Sequence, residues 1–339
     1  MTDKTQNTKM FEVDRSNMKQ ILIDFPSQFA TGYSAAADAG SSLKNNKFEN
    51  IIVAGMGGSA LPGALLEMLA EYQLDLQIPV YIHRSYELPR QATDKSLVII
   101  ISYSGNTEEA LSAYQKAKTE NHTICAITSG GKLEEFAQTD EIPLVLVPKN
   151  VQPRIALGYQ FSALLALLAN AGIIKPQKKE MEELESALSP EKLEKTAEKL
   201  AEKIDSKTPL IYSSRDYRHL AYILKIQMNE NGKRHAFANY FPELNHNEMV
   251  GYETKNDMFV LVLRDKDDHP KIQKRMELTA DIIKKRGYSV EYIDINGENM
   301  YNKVFNTILF GNWLSYYLAI KAEIDPTPVD IVEEFKKEL

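Results

Sequence analysis

Residues 97–107 read Leu97-Val98-Ile99-Ile100-Ile101-Ser102-Tyr103-Ser104-Gly105-Asn106-Thr107. The apolar, mostly β-branched run leaves no polar side for water, so it reads as a strand buried on both faces, ended by the Ser/Gly/Asn cluster. A helix is expected from about Glu108. The same order stands upstream, where Ile51-Ile52-Val53-Ala54 meets Gly55-Met56-Gly57-Gly58-Ser59-Ala60 and then an apolar helix carrying Leu65, Leu66, Met68 and Leu69. Strands at 80–82, 123–127 and 144–147 complete a βαβαβ series. Continuous apolar strands alternating with helices belong to a parallel sheet covered on both faces.

Outward from this core, Asp14 is placed to cap a helix with Met18, Ile21, Leu22 and Phe25 on its apolar face, stopped by Pro26, behind a tail expected to be mobile to about Phe11. Between 176 and 207 Lys and Glu dominate, with Met181, Leu184, Leu188 and then Leu193, Ala197, Leu200, Ile204 at helical spacing. Ser189-Pro190 supplies a cap and a first-turn proline, so two amphipathic helices meet there. The second half repeats the first: Leu210-Ile211-Tyr212, a loop of Ser213-Ser214-Arg215-Asp216 and a helix; then a strand at 258–263, a helix at about 271–286 and a strand at 290–293. The expected organisation is α/β throughout: an amino-terminal domain at 1–175, a helical connector at 176–207 and a similar domain at 208–339, each a mostly parallel sheet flanked by helices. The second domain's loop Arg264-Asp265-Lys266-Asp267-Asp268 is acidic and would repel a phosphate, which assigns the ligand site to the first half.

Composition narrows the function classes. The 339 residues carry a net charge of −7 and one cysteine. That excludes a disulfide framework, argues against a nucleic-acid partner and fits a reducing cytoplasm. The longest apolar stretch, 158–174, is interrupted by Gln160, Ser162 and Asn170 and falls short of the ~20 residues of a membrane span, so no membrane partner is expected.

Gly55-x-Gly57-x-x-Ala60 fits the dinucleotide fingerprint, but His83-Arg84 stand where that fold wants an acid at the end of the second strand. A reductase using NADP rests on this fingerprint alone. Ser102-x-Ser104-Gly105-x-Thr107 offers hydroxyls, backbone amides and a helix amino end without bulky charge, a cradle for one phosphoryl group. No G-x-S-x-G elbow surrounds Ser59 or Ser104.

With the Gly57-Gly58-Ser59 loop, this segment resembles the sugar isomerase (SIS) domain. Further motifs narrow the resemblance: Phe25-Pro26-Ser27-Gln28, Gln152-Pro153-Arg154, Asn229-Glu230-Asn231, Glu243-Leu244-Asn245-His246-Asn247, and Asp325-Pro326 leading to Phe335-Lys336-Lys337-Glu338-Leu339. In order and spacing they are similar to the bifunctional phosphoglucose/phosphomannose isomerase family. The resemblance implies interconversion of glucose 6-phosphate, and of mannose 6-phosphate, with fructose 6-phosphate through a cis-enediol. It also implies a homodimer with sites near the subunit interface, with His246 acting in its own subunit or across it.

Such chemistry needs a base at C2–H, a group that stabilises the enediolate, and an acid/base pair for ring opening. Glu230, at the end of a helix before an Asn231-Gly232 stop, is the expected base. Arg154 offers a planar cation for the enediolate oxygen. The resemblance assigns ring opening to His246 and Lys336, the latter on a terminal helix with Ile331, Val332 and Phe335 as its apolar side, expected to fold over an interdomain cleft. Gly57, Gly58, Ser59, Ser102, Ser104 and Thr107 are the expected phosphate ligands. No cofactor or metal is required, and no histidine shows metal-ligand spacing. The alternative is a sugar-phosphate-binding SIS regulator without catalysis, against which Glu230, His246 and Lys336 stand together.

Overall fold

The computed structural model describes residues 12–70, 72–149 and 151–338. The tail before residue 12, Asn150 and Leu339, which the sequence reading touches, lie outside the described residues. The chain divides into two units: Asp24–Leu188, and the residues from Ser189 onward together with those before Asp24. The segment read from sequence as a connector is two helices, α7 (Lys178–Ala187) and α8 (Pro190–Ile204), and the division falls between them.

The first unit holds a sheet of five parallel strands in the order β2-β1-β3-β4-β5. They are β1 (Asn50–Ala54), β2 (Val80–His83), β3 (Ser96–Ser102), β4 (Thr123–Thr128) and β5 (Leu144–Leu146). Every residue of β1 and β3 is buried, as their apolar runs require. Helices α3 (Leu61–Ala70), α4 (Glu108–Thr119) and α5 (Gly131–Thr139) connect the strands. A helix pair, α2 (Gln28–Ala35) and α6 (Leu157–Asn170), packs so closely that Gln28 Oε1 accepts from the Gly158 amide at 3.1 Å. Strand order reverses between β1 and β3, and a crevice at the carboxyl ends of such strands is where open parallel sheets bind ligands.

The second unit repeats the plan with four parallel strands in the order β7-β6-β8-β9: β6 (Thr208–Ser214), β7 (Phe237–Phe241), β8 (Met258–Arg264) and β9 (Ser289–Asp294). Helices α9 (Arg218–Glu230) and α10 (Pro270–Lys285) connect them, followed by α11 (Met300–Lys321) and α12 (Asp330–Lys337). Strand β7 and helix α11 had no counterpart in the sequence reading. The amino-terminal helix α1 (Met18–Ile23) belongs to this unit. The Asp14 carboxylate accepts from the Met18 and Lys19 amides at 2.7 and 2.9 Å, so it caps the free amides of α1 from four residues ahead of the helix, and it accepts from Tyr316 Oη of α11 at 3.2 Å. Glu194 of α8 joins the same corner, pairing with Lys19 at 2.8 Å and accepting from Tyr317 Oη at 2.6 Å.

Candidate active site

In the first unit the reversal point between β1 and β3 carries both expected phosphate loops. Ser59, in the short helix Gly57–Ala60, accepts from the Tyr103 amide at 3.0 Å, which stitches the two loops together and leaves the Ser59 hydroxyl proton free to donate elsewhere. Ser102 is fully buried and donates to Thr107 Oγ1 at 3.0 Å, so Thr107 is oriented by Ser102. Ser104 is exposed, and its hydroxyl accepts from the Asn106 amide at 3.3 Å. Thr107 stands at the N-cap position of α4 without a side-chain capping bond, and the first amides of that helix have no partner within it.

Arg154 belongs to the same constellation. It is 3 % exposed, and the Pro153–Arg154 backbone runs so close to Gly58 that a Cβ there would stand 2.6 Å from the Arg154 nitrogen. Gln160 of α6 holds the turn by donating to the Pro153 carbonyl at 3.0 Å. Gly57, Gly58, Ser59, Ser102, Ser104, Thr107 and Arg154 are therefore gathered by one sheet end. Against the dinucleotide reading, β2 ends at His83, whose ring bonds the Tyr86 carbonyl at 3.2 Å, and no acid takes that place.

The second unit carries the other three residues. Glu230 closes α9 and is half-buried. The expected glycine stop is displaced: the left-handed residue is Lys233, with φ 53°, while Gly232 is small because its Cβ would meet the Met228 carbonyl at 2.8 Å. Buried Asn231 donates to Ser315 Oγ at 3.2 Å, which anchors this end to α11. Lys233 Nζ donates to the Glu230 carbonyl at 2.7 Å and to the Pro328 carbonyl, so the chain entering α12 is tied to the end that bears Glu230. Lys336 lies on α12 and pairs with Glu333 at 2.7 Å. The apolar side of that helix is exposed, with Ile331 at 79 % and Phe335 at 64 %.

His246 sits elsewhere. Helix α9 returns from the carboxyl end of β6, so Glu230 lies at the amino end of the sheet, whereas His246 follows the carboxyl end of β7. The five residues of β7 alone separate those ends by roughly 15 Å at a strand's rise per residue. Within one chain, Glu230 and His246 are not brought together.

A family model described as the SIS domain matches residues 43–169, and one described as the bacterial phospho-glucose isomerase C-terminal SIS domain matches residues 193–339. The bifunctional phosphoglucose/phosphomannose isomerase of Caldicellulosiruptor bescii is 38% identical over 337 residues, covering 95% of this chain and 98% of that protein. The chain belongs to that family. The namesake from Thermoplasma volcanium is 36% identical over 88% of this chain and 94% of its own. Among solved structures, the C-terminal domain of glucosamine-fructose-6-phosphate aminotransferase from Francisella tularensis superposes with a TM-score of 0.69 at 19% identity, over 91% of this chain and 97% of that one, a likeness of fold.

This family's two-SIS plan makes the second sheet's reversal point, between β6 and β8, the counterpart of the cradle, and its contents differ. Asp265, after β8, is 1 % exposed and accepts from Lys303 Nζ of α11 at 3.0 and 2.8 Å and from Tyr217 Oη. Lys303 also reaches Asp267 at 2.6 Å. Burial alone would raise the Asp265 carboxyl; the Lys303 ammonium and Tyr217 hydroxyl outweigh it and hold the carboxyl below its usual range. A fixed internal anion fills the place where the first unit offers hydroxyls. Sequence reasoning missed a third loop of the cradle, Ser129-Gly130-Gly131-Lys132: the Lys132 amide donates to Asn106 Oδ1 at 3.1 Å. The signal was present as another Ser-Gly-Gly run directly after an apolar strand. Among the described residues, no group of three His, Cys, Asp or Glu side chains is placed to hold a metal ion, and no helix is long and apolar enough to cross a membrane.

Proposed function

We propose that this chain interconverts glucose 6-phosphate and mannose 6-phosphate with fructose 6-phosphate by proton transfer through a cis-enediol. The observation that carries the reading is the neutral, hydroxyl-lined cradle at the β1–β3 reversal point with a buried Arg154 against its glycine loop, in a chain of this family. Ser59, Ser104 and Thr107 donate to the phosphoryl oxygens, with the Gly57 and Gly58 loop and the first amides of α4, while Ser102 sets the Thr107 hydroxyl. Glu230 takes the proton from C2 of the open-chain aldose as the C1 carbonyl oxygen is protonated. The enediol then loses its O2 proton, and Glu230 returns its own proton to C1, giving the ketose. Arg154 stabilises the charge that builds on the enediolate oxygens.

Lys336 and His246 open the sugar ring by moving a proton from the anomeric hydroxyl to the ring oxygen. The separation of Glu230 from His246 along β7 favours a homodimer in which His246 serves the partner's site, in a cytoplasmic enzyme that needs no cofactor.

The test is a coupled assay with fructose 6-phosphate and with mannose 6-phosphate, beside calorimetric binding of glucose 6-phosphate. Glu230→Gln is expected to abolish turnover while leaving affinity within about threefold, because it removes the base and keeps the anchor. Ser104→Ala is expected to weaken binding first. Binding of the phosphosugars without turnover by the unaltered protein would favour the regulator reading.

A further inference from the structure

His246 stands on a loop whose residues on either side of it are tied down. Leu244 is fully buried among the core side chains of the second unit. Asn245 donates to Thr279 Oγ1 at 2.8 Å and accepts from Arg275 at 3.2 Å, both from α10. Asn247 donates to Glu243 at 2.8 Å and accepts from the Glu248 amide at 2.6 Å. The His246 ring itself is exposed and makes no hydrogen bond among the described residues.

The deepest of these ties is Glu248. One carboxylate oxygen accepts from Tyr212 Oη of β6 at 2.7 Å, and the other accepts from Asn239 Nδ2 of β7. Tyr212 is fully buried, and its hydroxyl lies 2.7 Å from that of buried Tyr252, at the far end of the same loop. Burial, then the neighbouring Tyr252 and Glu248, push the Tyr212 phenol above its ordinary range, so it stays a proton donor at any working pH. A carboxylate with a donor on each oxygen is pinned more tightly than a neutral acceptor, because charge-assisted bonds are roughly twice as strong. The catalytic mechanism above uses none of these groups.

We propose that Glu248 is a positioning residue for His246: it bolts the His246 loop to β6 and β7, so that the loop carries the imidazole to one fixed place beside the sugar ring. This rests on the ring-opening role proposed for His246. The expected damage is selective. A swinging imidazole opens rings slowly, but it leaves the proton shuttle of Glu230 and the phosphate grip alone.

The experiment compares fructose 6-phosphate with 5-deoxyfructose 6-phosphate, which lacks the hydroxyl that closes the furanose and so needs no ring opening. For Glu248→Ala, kcat on fructose 6-phosphate is expected to fall at least about tenfold with KM little changed, while kcat on the deoxy analogue stays within about twofold. Tyr212→Phe, which keeps the ring and removes one donor, is expected to show the same split to a smaller degree, and covers the case of Glu248→Ala failing to fold. An equal fall on both substrates, or a normal rate on fructose 6-phosphate, overturns the proposal. His246→Asn run alongside keeps the two claims apart: if it too leaves fructose 6-phosphate turnover intact, the ring-opening role falls; if it alone shows the split, Glu248 falls.

Discussion

Gly105 has φ +70°, and a Cβ built on it would stand 1.7 Å from the Gly130 carbonyl oxygen, a backbone atom with no room to retreat. Two separate constraints therefore forbid any side chain: the left-handed backbone and the close approach of the next loop. Gly105→Ala is expected to cost about 1–3 kcal/mol of stability. Because the displaced backbone holds Ser104 and Thr107, glucose 6-phosphate affinity measured by calorimetry should drop with it. A folded variant with unchanged affinity would remove this loop from the phosphate site. The need for glycine here was legible in the sequence, since Ser-Gly-Asn-Thr after a buried strand is turn chemistry. Its partner was not, because Gly130 comes from the end of a different strand and only the sheet sets them side by side. Arg154 teaches the same thing: the run Gln152-Pro153-Arg154 does not show that its backbone lies against Gly58.

At the level of elements, α11 shows where periodicity fails. Its residues 301–305 and 307–319 are buried on every side, so no apolar stripe marks it as a helix of ordinary pattern. The acidic loop after β8 was readable, but the cation that neutralises it sits on this helix. The Lys303 side chain is 9% exposed and that of Asp265 2%, so Lys303→Met leaves a buried carboxylate unpaired and is expected to cost about 3–5 kcal/mol at pH 7. Adding Asp265→Asn should return part of that loss, which chemical denaturation of the single and double variants would measure. The Asp265 carboxyl is held low, so its contribution is full above its unfolded value of about 3.9 and is lost as pH falls through the lower folded value. For Lys303, burial lowers the ammonium's pKa, but Asp265 and Asp267 raise it further; its contribution is full below about 10.4 and is lost as pH climbs through the raised folded value.

On the scale of the whole molecule, the two ends of the chain share a unit: the α1 segment packs with α11 through Asp14 and Tyr316 and with α8 through Lys19 and Glu194. Trp313, the one tryptophan, is fully buried in α11, so its fluorescence reports on that unit. Asp14→Ala is expected to cost about 0.5–2 kcal/mol, seen as a lower midpoint of the Trp313 transition, while glucose 6-phosphate affinity is kept because the cradle belongs to the other unit. An unchanged Trp313 transition would separate α1 from that unit. Sequence by itself determined the α/β class, the tandem repetition and the place of the Ser/Gly loops after buried strands, because each is written in contiguous residues: an apolar run, a glycine cluster, a capped helix. Tertiary structure alone decided that α1 closes the second unit, that Lys303 is the partner of the buried Asp265 in the second crevice, and that β7 holds Glu230 and His246 apart. Those outcomes depend on contacts between residues tens to hundreds of positions apart, and local pattern carries no record of which distant side chain a buried charge or helix face will meet.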